Sequence, residues 1–531
     1  MFELLYLVRD FFCFFGSEIF VGIFMLIFLL LTSGVFKNWI RTFVYGEDNF
    51  LFTSYDVYSF YLLVIVFIFV STFNSEFYAF YAFDTLHLFE NSIGSTYLKQ
   101  VILGLMFLSS FSVFRAAELV HIQFQEIVFL LFGCMLSSML LVMSTSLISI
   151  FLCLEFLGLC FYTLAAILRS SIHSADAGLH YFIANAIVSG CFLAGCAIFY
   201  GFFGTLGFCS LDTLFWFLAK ANSNILVAIG CLLIFISFSF KLLIAPFHLW
   251  QPLVYFGAPV SATIVFCVIS KIVIFTPLLR ITAVTLFVYP IFIDFFIFLG
   301  FFTFIYGGMR AFFADTLKFV LIYSSMNQVG VPISLVGFND LSSSALIYFF
   351  LIIYSLVSIV AWIAYVQLLI QHNKIHKYIN RDSNSSSRFL PPPLFLTSLR
   401  GLWFVNRSLA LKFIFVFFSF AGIPPLVGFL SKSVVYYEML LVYSFFWIVL
   451  FVFFGSLTVI YYLRLIKLIF EEPKESYPSK VLSFSAFELF QSKIEDGLCL
   501  FLIFIVFILL FNADFVLTFC RMLAYSLFFS F

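Results

Sequence analysis

Long apolar stretches separated by short polar ones run through almost the whole chain. A helix needs about 20 apolar residues to cross the hydrocarbon layer of a membrane. On that basis we predict an all-α, polytopic membrane protein with about 14 spans. These spans 1 to 14 are centred within residues 18–36, 58–80, 98–114, 125–144, 146–168, 178–203, 225–245, 261–283, 286–306, 317–337, 344–370, 411–431, 440–469 and 496–520.

In two of these spans we expect proline to break the helix, because it removes a helical hydrogen bond and clashes with the preceding turn. Pro246 lies in span 7, and Pro424 and Pro425, preceded by Gly422, lie in span 12. Unpaired backbone is tolerated at membrane depth only where protein or water surrounds it. We therefore expect spans 7 and 12 to be broken helices, a feature that marks ion sites when it recurs in two halves of a transporter.

The two breaks lie five spans apart, which predicts two inverted five-helix repeats. We assign residues 1–120 to N-terminal helices 1–3, 121–283 to the first repeat (spans 4–8), 284–470 to the second repeat (spans 9–13), and 471–531 to a connector and span 14. The second repeat contains a polar, proline-punctuated stretch, 371–410, which we predict to be a loop. A tolerated insertion is the simplest interpretation of that loop.

Four charged residues lie deep inside apolar segments: Glu155 in span 5, Lys241 in span 7, Lys271 in span 8 and Lys432 in span 12. A charge at that depth costs about 3 kcal/mol on insertion scales, so it needs a partner, a hydrated cavity or a function. A neighbouring carboxylate stabilises a buried ammonium group. A row of such groups with water between them can therefore pass a proton stepwise when the pairing changes.

Other interpretations of these residues remain open. Glu155 could be a structural carboxylate held by serine or backbone groups, and Lys432, near the end of its apolar run, could extend to the membrane surface. His248, beside Pro246, could bind carbonyl groups freed by the break, or it could relay protons. For Lys271 the one alternative is extension to the membrane surface, and its side chain is too short for that, since long apolar runs precede and follow it.

Three further charged residues are expected to have other roles. Asp294, in span 9, is predicted to be buried in a structural or inter-subunit pairing. Asp315 and Lys318 lie at predicted helix ends, where we expect them to be solvated or paired at the interface.

Composition excludes several classes of protein. Of the 531 residues, 64% are hydrophobic and 10% charged, more apolar surface than a soluble core could bury. The formal net charge is zero, which gives no indication of nucleic-acid binding. The 11 cysteines are scattered singly, so we predict no metal or iron–sulfur site.

Two features bear on location. The 85 phenylalanines indicate a T-rich coding strand and hence an organellar genome, and the N-terminus lacks the features of a signal or transit peptide. Apart from the three intramembrane lysines, 18 of 23 basic residues follow odd-numbered spans. Basic residues favour the cytoplasmic or matrix side, so both termini are predicted on the opposite side.

Several motifs resemble one family. FKLLIAPFHLWQPLVYFGAPVSATIVFCVISK (residues 240–271) is similar to the region of spans 7 and 8 in the antiporter-like proton-pumping subunits of respiratory complex I, most closely the subunit 2 or N-type group. The similarity extends to AGLHYFIANAIVSG from Ala177, YGFFGTLGF from Tyr200, LIYSSMNQVG from Leu321 and FAGIPPLVGFLSK from Phe420. Together these motifs cover about three hundred residues in the expected order.

The chain departs from the family pattern at three positions. The family usually has acidic residues where this chain has Leu253 and Phe256, and a lysine where it has His180. These differences affect the expected loop electrostatics and leave the four intramembrane charges in place.

The resemblance implies a role for each site residue. Glu155 and Lys241 would form a switchable ion pair, and Lys271 would be the central proton-holding lysine. Lys432 would pass the proton onward, with His248 bridging the two half-channels.

The resemblance also implies a membrane-arm subunit of proton-translocating NADH:ubiquinone oxidoreductase with no redox centre of its own. Other subunits would bind NADH, FMN, iron–sulfur clusters and ubiquinone. The expected partners are antiporter-like subunit 4, small membrane subunits 4L, 6 and 3, and lipids, in the mitochondrial inner membrane with both termini on the intermembrane-space side. Two alternatives are a cation/proton antiporter without redox coupling and a structural subunit whose charges only join helices.

Overall fold

The computed structural model describes residues 18, 21–25, 61–66, 93–120, 124–220, 225–380, 395–442, 445–472 and 486–528. In these residues the chain is helical, and two isolated bridges are the only extended pairings. Most of predicted spans 1 and 2 lies outside the described residues. Within them, the prediction of an all-α, multi-pass membrane protein is confirmed.

Seventeen α-helices follow one another in the described ranges from residue 93 onward. They are α1 (Ile93–Leu119), α2 (Phe124–Met143), α3 (Leu147–Ala165), α4 (Ile172–Phe203), α5 (Phe208–Lys220), α6 (Ile225–Lys241), α7 (Trp250–Gly257), α8 (Val260–Thr285), α9 (Ile291–Phe312), α10 (Leu317–Val336), α11 (Leu341–Asn380), α12 (Leu402–Val405), α13 (Arg407–Ala421), α14 (Val427–Val442), α15 (Phe445–Phe470), α16 (Ala486–Phe511) and α17 (Ala513–Phe528). Nine of those described are long and apolar enough to cross a membrane.

The two expected helix breaks are present. Span 7 is divided into α6 and α7, and span 12 into α13 and α14. The Ala245–Pro246 and Pro424–Pro425 peptide bonds, one in each break, are both cis. The proline positions in the sequence therefore located both breaks correctly.

Two helices begin in the same way at corresponding places of the proposed repeats. Ser146 caps α3, its side chain accepting a hydrogen bond from the backbone three residues on, and Thr316 caps α10 in the same manner. Each capping residue also forms an isolated antiparallel bridge, Ser146 with Gly207 and Thr316 with Phe395. These matching details support an internal repeat with α3 and α10 as equivalent helices.

The centre of the bundle is formed by α8, α10 and α11, whose apolar segments are almost entirely buried. Helices that are hydrophobic all round are typical of such central positions. By contrast, α4 and α15 leave more than half of their apolar segments exposed, a surface suited to lipid or neighbouring subunits. Because α8 carries Lys271, that lysine lies among the most buried helices.

The predicted loop at 371–410 is wrong at both ends. Helix α11 continues to Asn380, and after a 3₁₀ turn at Leu396–Leu399 the chain is helical again from Leu402. No glycine or proline occurs between Leu341 and Asn380 to end the helix. At 1.5 Å per residue the helix is about 60 Å long, roughly twice the thickness of the hydrocarbon layer. Residues 381–394 lie outside the described part.

Span 14 was predicted as one helix, and this is also wrong. α16 and α17 meet at Asn512 with a bend of 90°. The signal in the sequence is the polar pair Asn512 and Asp514 within an apolar run, since both residue types favour helix starts over helix interiors. The connector predicted before span 14 lies largely outside the described residues.

The prediction of burial is wrong for Asp294 within this chain. Helix α9 begins at Ile291, five residues later than the predicted span, so Asp294 lies in its first turn and is exposed. A carboxylate at a helix N-terminus interacts favourably with the helix dipole. The exposed carboxylate is accessible to a neighbouring chain, so the inter-subunit pairing stays a prediction.

Candidate functional site

The break between α6 and α7 places Lys241 at the C-terminus of α6. Leu243 adopts a positive φ of 67°, which turns the chain out of the helix. The carbonyl of Phe240 accepts hydrogen bonds from the backbone N–H of Leu243 and from Trp250 Nε1, both at 3.3 Å. The Trp250 ring stacks between Phe240 and Tyr181, at centroid distances of 5.5 and 4.8 Å. Aromatic packing therefore fixes the broken backbone beside the lysine.

Glu155 on α3 and Lys241 form the ion pair that the family resemblance implied. The carboxylate Oε1 lies 3.8 Å from the ammonium Nζ. Asn185 on α4 donates from Nδ2 to both carboxylate oxygens at 3.3 and 3.2 Å, and Lys241 also donates to the carbonyl of Leu154 at 3.4 Å. The side-chain partners of Glu155 are thus an amide and an ammonium group, not serine.

A small cavity adjoins this pair. Lys241 and Ser270 both line it, together with aromatic residues that include Tyr181, Trp250 and Tyr255. About 20 Å³ of it is open to the centre of a water molecule, enough to hold one. Ser270 immediately precedes Lys271, so the cavity extends from Lys241 to the helix that carries the central lysine.

Lys271 on α8 is buried, with 2% of its surface exposed. Its Nζ donates to the carbonyl of Ser325 and to the hydroxyl of Tyr354, both at 2.9 Å, and lies 4.3 Å from the centre of the Tyr354 ring. Among the described residues no carboxylate forms an ion pair with it. Neutral oxygens and an aromatic face therefore hold this amino group.

The second break positions Lys432. Helix α13 ends at Ala421 and is capped by Gly422, whose φ of +77° favours glycine, and α14 carries Lys432 back toward that end. Lys432 Nζ donates to the carbonyls of Phe420 at 2.6 Å and Ala421 at 3.3 Å, and the side chain is 8% exposed. The lysine binds the negative end of the α13 dipole and does not extend to the membrane surface.

His248 packs against an aromatic residue of α9. It is 3% exposed, and its ring centre is 4.1 Å from that of Tyr306 on α9. Neither ring nitrogen hydrogen-bonds to any described residue, and the same holds for the side-chain amide of the buried Gln251. His248 therefore does not bind the carbonyl groups freed by the break, and water is the usual partner of such buried polar groups.

The family model for the transmembrane region described as "NADH:quinone oxidoreductase/Mrp antiporter, TM" matches residues 144–458, more than half of the chain. This chain belongs to that family. The match begins just before α3 and ends within α15, so it includes both helix breaks and all four intramembrane charges.

Individual members of the family show the same relationship. NADH-ubiquinone oxidoreductase chain 2 of Marchantia polymorpha is 33% identical over 60% of this chain and 61% of its own length. NADH-quinone oxidoreductase subunit N of Pelagibacter ubique is 28% identical over 72% of this chain and 77% of its own. The match thus spans slightly less than two thirds of the first relative.

A solved structure shares the fold. A chain in the structure of respiratory complex I from Thermus thermophilus with bound aureothin superposes with a TM-score of 0.70. The two chains are 22% identical, and the match covers 94% of this chain and 98% of the other. The two chains therefore share the same fold.

In this family member the structure reveals a buried lysine that was expected at the surface. Lys318, near the start of α10, is 8% exposed and donates to the carbonyls of Phe256 and Ala258 at 2.9 and 2.8 Å. These carbonyls lie at the C-terminus of α7, where a positive charge is favourable. The expectation of a solvated or interface-paired Lys318 is wrong, although Asp315 is exposed.

Sequence reasoning also missed the neutral polar residues that surround the charges. Asn185 contacts Glu155, Tyr354 contacts Lys271, and Gln328 donates from Nε2 to the Phe420 carbonyl at 3.0 Å, the same oxygen that Lys432 binds. Isolated polar side chains inside apolar spans were the available signal. Within the described part of the chain, no group of three His, Cys, Asp or Glu side chains converges as in a metal site.

Proposed function

We propose that this chain is a membrane-arm subunit of proton-translocating NADH:ubiquinone oxidoreductase and relays protons through Glu155, Lys241, Lys271 and Lys432. One observation carries the proposal. Lys271 and Lys432 are buried and the Lys241 side chain is 12% exposed; two of the three lysines lie at helix breaks, and one already faces a carboxylate. Ionisable residues kept inside a membrane protein generally mark an ion or proton pathway.

The first step uses the pair at the first break. While Glu155 faces Lys241 across 3.8 Å, the carboxylate stabilises the ammonium form of the lysine. Separation of the two removes that stabilisation and favours release of the proton. A water molecule in the adjoining cavity would carry it toward α8 and Lys271.

The second step leads from Lys271 to Lys432. Lys271 is held by neutral groups alone among the described residues, so the ammonium and amine forms can exchange without breaking an ion pair. Lys432, bound at the end of α13, receives the charge next. His248 is proposed to bridge the half-channels, supported by its burial and its two unpartnered ring nitrogens.

Electron transfer takes place elsewhere in this proposal. NADH, FMN, iron–sulfur clusters and ubiquinone are bound by other subunits, and the neighbours are antiporter-like subunit 4 and small subunits 4L, 6 and 3. The fold shared with a chain of the Thermus complex and the exposed apolar faces of α4 and α15 support such an assembly. The phenylalanine-rich composition supports the mitochondrial inner membrane, and the distribution of basic residues supports termini on the intermembrane-space side.

The test is Lys271→Ala in the purified complex, reconstituted in vesicles. We expect NADH-driven proton uptake to fall at least tenfold, while electron transfer from NADH to a water-soluble acceptor is unchanged. Lys467→Ala, at an exposed lysine of α15, is the matched control and should pump normally.

Two outcomes favour the alternatives. If the chain purifies without flavin or iron–sulfur subunits, it belongs to an antiporter without redox coupling. If Lys271→Ala pumps normally while Glu155→Ala prevents assembly, the charges are structural.

A further inference from the structure

Tyr354 lies in the first half of α11, in contact with Lys271. Its hydroxyl accepts a hydrogen bond from Lys271 Nζ at 2.9 Å, and its ring centre is 4.3 Å from the same nitrogen. The side chain is 6% exposed. The hydroxyl and the aromatic face thus provide two adjacent positions for the charge of Lys271.

The other side of Tyr354 faces the second helix break. Its ring stacks on that of Phe420 at a centroid distance of 6.0 Å and an interplanar angle of 28°. The carbonyl of Phe420 accepts the 2.6 Å hydrogen bond from Lys432. Tyr354 therefore lies between the lysine of α8 and the residue to which Lys432 is bound.

The other polar groups at this position are poorly suited to moving a proton. Lys271 contacts Ser325 through the backbone carbonyl, and the Ser325 hydroxyl donates to the carbonyl of Ile322 at 2.6 Å. Gln328 donates an amide hydrogen to Phe420. The Tyr354 hydroxyl, in contrast, accepts a hydrogen bond from Lys271 and can donate its own proton to another acceptor. Among the described residues, Tyr354 carries the only hydroxyl that contacts Lys271.

We propose that Tyr354 transfers protons between Lys271 and Lys432. The ammonium of Lys271 gives one proton to the Tyr354 oxygen as the original hydroxyl proton passes, through an intervening water, to the amine of Lys432. One N–H bond breaks at Lys271 and one forms at Lys432, and the tyrosine is regenerated. This assignment adds a residue to the proposed function and rests on it.

Tyr354→Phe tests the proposal because it keeps the ring and removes only the hydroxyl. In the reconstituted complex we expect proton uptake per NADH oxidised to fall at least fivefold. We also expect the solvent deuterium isotope effect on the residual pumping to rise, a change that a purely structural role would not produce. The matched control is Tyr348→Phe on the same helix, because the buried Tyr348 hydroxyl has no hydrogen-bonding partner among the described residues.

A second pair of variants separates proton transfer from hydrogen bonding and applies even if Tyr354→Phe fails to assemble. Tyr354→His introduces an imidazole, which takes up and releases protons, and should pump better than Tyr354→Gln, whose amide forms hydrogen bonds without taking up or releasing a proton. Equal pumping by these two variants, or by Tyr354→Phe and Tyr348→Phe, overturns the proposal. Lys271→Ala is measured in the same assay. If Lys271→Ala pumps normally, the proposed function itself has failed. If Lys271→Ala stops pumping while Tyr354→Phe pumps normally, only the role of Tyr354 is rejected.

Discussion

Glu155 and Lys241 form a loose ion pair, with 3.8 Å between Oε1 and Nζ, and 30% of the glutamate side chain exposed at the edge of the described bundle. A tightly buried pair would resist separation, because each charge left alone in a low dielectric is strongly destabilised. The observed distance and exposure make this pair easier to open and close. A loose pair is what a switch between two charge states requires.

Glu155→Gln removes the charge and keeps the shape of the side chain. The glutamine oxygen can still accept the hydrogen bond from Asn185, so we expect the complex to assemble. Because Lys241 loses its carboxylate, proton uptake per NADH oxidised should fall about tenfold, which corresponds to about 1.4 kcal/mol of lost stabilisation along the pathway. The measurement is NADH-driven acidification of the reconstituted vesicles.

The control for this prediction is Glu126→Gln. Glu126 pairs with Arg169 at 3.2 Å, but the arginine is 85% exposed, so the pair contributes little. This variant should pump like the unaltered complex. Equal pumping by the two glutamine variants would contradict a special role for Glu155.

Lys318→Met is predicted to weaken the structure around the first break. The variant leaves the carbonyls of Phe256 and Ala258 without their charged donor, and hydrogen bonds to charged groups contribute about 1.5–3 kcal/mol each. We expect a lower melting temperature of the purified complex. Asp315→Asn, at an exposed residue three positions earlier, should leave it unchanged. A stable Lys318→Met complex that has lost proton pumping would instead place Lys318 in the pathway.

The sequence predicted the parts of the site that depend on local chemistry. Proline in apolar runs located both breaks, and charge in apolar runs located Glu155, Lys241, Lys271 and Lys432. The partners of these residues could not be predicted, because tertiary packing brings them together. The two hydrogen-bond partners of Lys271 lie 54 and 83 residues away in sequence. Composition does not predict the helical continuation to Asn380, because a polar stretch is typical of a loop. It does not predict the bend at Asn512 either, because an apolar stretch is typical of a straight helix.

A second group of charges joins the last helices to the bundle. Arg115 on α1 donates to Glu495 on α16 at 2.8 Å, and Glu495 accepts from Gln367 on α11 at 2.9 Å. Lys412 on α13 binds Gln367 at 2.7 Å and forms an ion pair with Asp496. Four helices distant in sequence thus meet in one polar network.

Glu495→Gln should destabilise the complex through this network. Arg115 would keep its contact with Glu118 at 2.7 Å, so the loss should be about 2 kcal/mol, below the 3–5 kcal/mol typical of a broken buried pair. The expected result is faster proteolysis between α15 and α16 together with a lower melting temperature. The matched control is Glu471→Gln, whose partner Arg400 is about one third exposed. If both variants are equally stable, the network does not hold α16 in place.

The second helix break depends on close backbone contact at Gly428 in α14. A Cβ atom added there would overlap the backbone carbonyl of Ser419 in α13, and a backbone atom cannot move aside as a flexible side chain can. Gly428→Ala should therefore separate the two halves of the broken span, at a cost of about 1–3 kcal/mol or more. Because Lys432 binds the carbonyls of Phe420 and Ala421 across this contact, proton pumping should decline together with thermal stability.

Gly104→Ala in α1 is the control, since a Cβ there meets no atom within 4 Å and alanine favours a helix by roughly 0.5–1 kcal/mol. Normal stability and pumping in Gly428→Ala would show that the contact between α13 and α14 is not needed to position Lys432.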